Sequence, residues 1–200
     1  MNVSNFPTTA TGWMAIVTGL VAILALVFLI LMAAVNAAFG KVNDVFNSLI
    51  GIASVILAWL LYAEFQSKAL LMSRIALVLV LVGAVFLIIG SILVISGATG
   101  FVLSGWYSSI GSALIGLWLA GFCYSQSGSK LLPDSLIVFG IATGALMVFG
   151  LIGIPGIVAK VDSMKGLPWY LYIAFIAWLG TYIFYPFWAI WLGRQVLSGK

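Results

Sequence analysis

The chain has 200 residues, of which 64% are hydrophobic and only 6% charged, with a mean hydropathy of +1.29. A soluble domain carries about 25% charged residues, so the composition excludes a water-soluble globule and predicts an all-α integral membrane protein. Histidine is absent and Cys123 is the one cysteine, which removes histidine-ligated haem or metal, Ser–His and Cys–His catalysis and any intrachain disulfide. The formal charge of +4 fits contact with anionic headgroups and no nucleic-acid footprint.

A helix needs about 20 apolar residues to cross the hydrocarbon core, and windows of that length predict six spans joined by short loops in a single polytopic domain, residues 1–200. The first covers 12–39. It lacks Lys and Arg, exceeds a signal-peptide core in length and reads as a retained span, with Ala15, Gly19 and Ala22 as a small-residue patch. Lys41 and Asp44 are expected to close the first hairpin, and Asn36 to sit near the end of the first span. The second span covers 45–65, and Glu64 with Lys68 reads as a surface helical pair. The third, 75–96, carries Ala76, Gly83 and Ala84 and ends at the uncharged break Gly97-Ala98-Thr99-Gly100.

The fourth span, 105–124, holds a row of small residues at Ser104, Ser108, Ser112, Gly116 and Ala120. Each follows the last by four positions, which predicts one helix-packing face. A flexible loop, Ser125–Lys130, leads to Pro133-Asp134-Ser135, where Asp134 is expected to cap a helix start. The fifth span, 135–159, contributes Gly140 and Gly144 as a GxxxG packing motif and is ended or bent by Pro155. The sixth, 168–192, starts at Pro168, is kinked by Pro186 and is unusually aromatic. Trp13, Trp59, Tyr62, Trp106, Tyr124, Trp169, Tyr170, Trp188 and Trp191 fit interfacial belts. Phe175, Trp178, Tyr182 and Tyr185 form a stripe near mid-membrane that suits a neighbouring subunit or a lipophilic cofactor such as a lipid, quinone or carotenoid.

Basic residues set an orientation. Lys68, Arg74, Lys130, Arg194 and Lys200 outnumber Lys41, Lys160 and Lys165 on the opposite side, which predicts both termini in the cytoplasm; the compactness of the chain gives the expectation of a prokaryotic plasma membrane. Thr11-Gly12-Trp13 returns as Ser104-Gly105-Trp106, Gly51-Ile52-Ala53-Ser54 as Gly140-Ile141-Ala142-Thr143, and Lys68 with Gly83 as Lys165 with Gly180. Matches in this order suggest two three-helix halves related as an inverted repeat.

All four acids, Asp44, Glu64, Asp134 and Asp162, fall at predicted span ends or in loops. With no buried carboxylate expected, an ion-coupled pump is disfavoured. No HExxH, GxSxG or Walker A motif is present, and the Ser–Lys neighbours Ser67-Lys68, Ser129-Lys130 and Ser163/Lys165 lie in solvated loops. The expectation is a non-catalytic, structural or accessory subunit of a larger membrane complex, such as a respiratory or photosynthetic assembly, with lipids and other integral subunits as partners. The alternative is a transporter or channel for a small neutral or lipophilic solute, its pathway lined by Ser108, Ser112, Thr143 and Tyr182 between the two half-repeats.

Overall fold

A computed structural model describes residues 9–68, 70–128 and 131–198, without the side chains of 63–73. The described residues are helical with short turns, and six helices are long and apolar enough to cross a membrane. They are α1 (Thr9–Ala34), α2 (Ala38–Lys68), α3 (Leu70–Ile95), α4 (Phe101–Gln126), α5 (Asp134–Val158) and α6 (Trp169–Ser198). Each helix packs antiparallel on its chain neighbours, and α6 returns to lie on α1, so the six close into a ring. The most enclosed helix, α4, also touches α2 and α6.

Small residues let the backbones approach where lipid supplies no hydrophobic drive between helices. Three reciprocal glycine pairs do this, each built so that a Cβ on one glycine would meet the carbonyl oxygen of the other: Gly83 with Gly111 between α3 and α4, Gly116 with Gly144 between α4 and α5, and Gly12 with Gly193 between α1 and α6. The row on α4 is therefore shared between two neighbours. Ser104 and Ser108 lie against Gly90 of α3, whereas Gly116 and Ala120 lie against Gly144 of α5. Four residues at 3.6 per turn overshoot a full turn by about 40°, so a row five members long winds around the helix and does not keep one face.

The first hairpin differs from expectation. The chain turns at residues 35–37, where Asn36 Oδ1 accepts the Ala38 N–H at 2.8 Å, and Lys41 and Asp44 lie inside α2. At α5 the helix tightens into a 3₁₀ segment, Phe149–Gly153, one turn before Pro155. Proline supplies no N–H and clashes with the carbonyl four residues back, here Leu151, which lies within that segment. In α6 the turn before Pro186 widens into a π segment, Gly180–Phe184, which contains Tyr182 and is followed by Tyr185.

Carboxylate capping also moves. Asp134 occupies the first turn of α5 but makes no cap hydrogen bond, since Pro133 is the capping residue. Asp162, from the α5–α6 loop, accepts the backbone N–H of Gly100 at 2.5 Å and of Leu103 at 3.0 Å, capping α4 from outside its own sequence. Ser163 acts locally, its Oγ accepting the Lys165 N–H at 3.1 Å. The side chains of Glu64, Ser67 and Lys68 are not described, and Ser129, Lys130 and Lys200 lie outside the described residues.

Candidate functional site

Asn43, Asp44, Asn47 and Ser54 sit on α2, with Asn43, Asn47 and Ser54 spaced by four and seven residues and so on one helix face. All four are buried, Asp44 to 2% exposure. This corrects the expectation that every acid lies at a span end. Asp44 is six residues beyond Ala38, about 9 Å along the axis at 1.5 Å per residue, and it is enclosed by helices on every side.

Hydrogen bonds join the cluster to three other helices. Asn43 Nδ2 donates to the Ala25 carbonyl of α1 at 2.7 Å. Asn47 Nδ2 donates to Asn43 Oδ1 at 3.1 Å, and the Tyr182 hydroxyl of α6 donates to Asn47 Oδ1 at 2.8 Å. From α3, Ser91 Oγ donates to the Asp44 backbone carbonyl, at 2.5 Å, or to that of Leu87, at 2.9 Å. The Asn47 amide faces the Asp44 carboxyl from one turn away. Asp44 Oδ2 is buried with no hydrogen-bond partner among the described residues. Two turns further along α2, Ser54 Oγ and Tyr185 Oη lie 2.8 Å apart.

The predicted aromatic stripe is divided. Tyr182 and Tyr185 point into the bundle at α2, whereas Phe175 and Trp178 line an apolar cavity of about 310 Å³ with Phe101, Val102 and Met164. The Trp178 indole there donates to Ser109 Oγ at 3.1 Å and meets the Phe175 ring edge-on at 4.7 Å between centroids. The division falls at the π segment, where a wider turn breaks the 3.6-residue phase that a stripe requires.

The expected solute pathway does not converge. Thr143 Oγ1 donates to the Phe139 carbonyl of its own helix at 2.7 Å, and Ser108 packs on Gly90. Ser112 is buried in α4, and Tyr182 belongs to the Asp44 cluster. Of the packing residues, Gly140 leaves the room that Cys123 Sγ and the Trp188 indole nitrogen occupy. The belt assignment holds two exceptions. Trp169 and Tyr124 are 75% and 76% exposed, but Trp106 and Trp188 are interior at 1% and 0%. Trp106 stacks on Phe175 and donates from its indole to the Val161 carbonyl at 3.0 Å. The repeat partners Trp13 and Trp106 thus occupy unlike surroundings, one outward-facing and one buried.

Sequence reasoning passed over Asn43, Asp44 and Asn47 because Gly40-Lys41-Val42-Asn43-Asp44 has the composition of a turn. The signal that finds them is the helical spacing of Asn43, Asn47 and Ser54 within an otherwise apolar segment. Compared with known protein families, curated proteins and solved structures, the chain matches none of them.

Proposed function

We propose that this chain is a six-span membrane protein that passes a small solute through its helical bundle, with the Asn43–Asp44–Asn47–Tyr182 cluster as the polar station on the route. One observation carries the proposal: among the described residues, a carboxylate oxygen of Asp44 is buried without a partner where groups from four helices converge. Ionisable residues inside membrane spans are costly and mark substrate or ion pathways. A scaffold that only packs against lipid and other subunits has no use for that cost. The outward faces of α1 and α3, rich in exposed Val, Leu and Ile, are what lipid tails alone would cover.

In this reading α1–α3 and α4–α6 are inverted halves, and the packing of α6 on α1 is the counterpart of α3 on α4. The membrane is a prokaryotic plasma membrane with both termini cytoplasmic, and no catalytic step is assigned.

The test is solute flux into vesicles containing the purified chain, followed by light scattering with glycerol, urea, glycine and ammonium chloride as probes. At least one probe should enter faster than into protein-free vesicles, with the excess falling tenfold or more in Asp44→Asn. Entry no faster than through bare lipid for every probe, together with fixed foreign subunits in native mass spectrometry, would replace this proposal with the accessory-subunit role.

A further inference from the structure

The chemistry of the station can be named from its donors and acceptors, an inference that rests on the pathway proposed above. Each side-chain amide in the cluster has its oxygen occupied by one donor: Asn47 Oδ1 by the Tyr182 hydroxyl, and Asn43 Oδ1 by Asn47 Nδ2. The Ser91 hydroxyl is spent on backbone carbonyls, one Asn43 amide N–H goes to Ala25, and the Asn47 amide faces the Asp44 carboxyl. Among the described residues Asp44 Oδ2 is still left without a donor.

Among the described residues no cation faces it. α1 contains no charged residue, and Arg74 of α3 is exposed at the opposite end of that helix. Lys41, one turn before Asp44 on α2, is exposed, and Arg194 lies at the far end of α6. α4 has no acid or base other than Tyr107, Cys123 and Tyr124, of which Tyr107 packs on Phe86 and Gly90 of α3. Two titratable groups reach this stretch of α2 from α6: Tyr182, which already donates to Asn47, and Tyr185, whose hydroxyl pairs with Ser54 two turns further on.

What the site lacks is a single positive charge able to donate one hydrogen bond. Hard metal cations such as Mg²⁺ and Ca²⁺ gather about six to eight oxygen ligands, and the amide oxygens here are engaged. A proton needs one oxygen and no cavity. We propose that Asp44 is a proton-exchange site: the carboxylate takes a proton from hydronium, leaving water, to become the neutral acid, and on release returns the proton to water as hydronium. Tyr182 stands in the π segment of α6, an irregularity that is frequent at functional sites.

The chain has only four acids, so single variants can assign a carboxyl signal. Infrared difference spectra between alkaline and acid buffer, taken on the full chain in lipid nanodiscs without solute, should show a carboxylic-acid carbonyl band that grows as pH falls. The band should vanish in Asp44→Asn and persist in Asp134→Asn and Asp162→Asn. In wild-type protein it should shift on transfer to D₂O, a readout independent of whether Asp44→Asn folds. Tyr182→Phe should move the band without removing it.

A band that survives Asp44→Asn, one that stays constant at every pH, or one abolished by replacing choline chloride with sodium or potassium chloride would overturn the proton assignment. Failure here is separable from failure of the pathway. A missing band with Asp44-dependent flux removes the proton alone, whereas a titrating band without flux removes the pathway alone.

Discussion

Single side chains in this protein do work that their sequence neighbourhood does not announce. Asp162 reads as a loop acid beside Lys160 and Lys165, yet it holds the two free amides that open α4. Removing an N-cap acceptor costs about 1 kcal/mol. Asp162→Ala should lower stability by that order and speed hydrogen exchange at Gly100 and Leu103, and high salt should leave most of the loss in place because two hydrogen bonds are deleted. Asp134→Ala, at a helix start with no cap bond, should change stability by no more than about 0.5 kcal/mol, as surface substitutions do. Equal losses in the two variants would contradict the capping geometry. The tyrosines make a comparable pair of contacts: Tyr185→Phe removes the hydroxyl that lies 2.8 Å from Ser54. It should cost about 0.6 kcal/mol, the average for a hydrogen bond between membrane helices, measured by denaturant titration in micelles.

At the scale of the helices, close approach through glycine is the organising contact, and it can be tested by adding atoms. Gly144→Val would drive a side chain into the Gly116 carbonyl and Ala120. Overpacking of this kind typically costs about 1–3 kcal/mol, so thermal unfolding of the variant should fall accordingly. Gly121, on the facing helix α4, has nothing within 4 Å of an added Cβ. Gly121→Ala should be neutral or stabilise by up to about 1 kcal/mol, because alanine favours helix over glycine. A loss at Gly121 matching that at Gly144 would contradict close packing of α5 on α4 at Gly116 and Gly144. The number of helices was legible in the sequence, since each long apolar run is bounded by polar or glycine-rich residues. The ends of α1 and α2 were not. The string Asn43-Asp44 looks like a turn by composition, whereas the real turn needs only Val35-Asn36-Ala37, with one amide as its cap. Pro155 and Pro186 were legible as sites of irregularity. That one tightens the preceding turn and the other widens it depends on the neighbours: Gly150 closes on Ser109 of α4, and Gly180 on Met147 of α5.

The whole molecule places the turns at 35–37, 96–100 and 159–168 at one end of the bundle and residues 127–128 and 131–133 at the other. Single cysteines provide the check, because native Cys123 is buried and should label little. In intact cells a membrane-impermeant maleimide should modify Ala37→Cys, Ala98→Cys and Met164→Cys. Ser127→Cys should react only after the cytoplasmic side is opened. Labelling of Ala37→Cys and Met164→Cys from opposite sides would rule out the six-span arrangement.

Composition and apolar run length by themselves determined the helical class, the count of six long apolar helices and the positions of most breaks, because the bilayer constraint acts on segments of about 20 residues and averages over individual side chains. Pairing was decided only by the tertiary structure. Which carbonyl each glycine meets, which side of α4 each serine serves, and that Asn43, Asp44 and Asn47 share an interior with Ser91 and Tyr182 all depend on helix rotation and crossing. Those quantities are fixed by contacts between residues up to 135 positions apart, and a local pattern in an almost uniformly apolar chain carries little information about them.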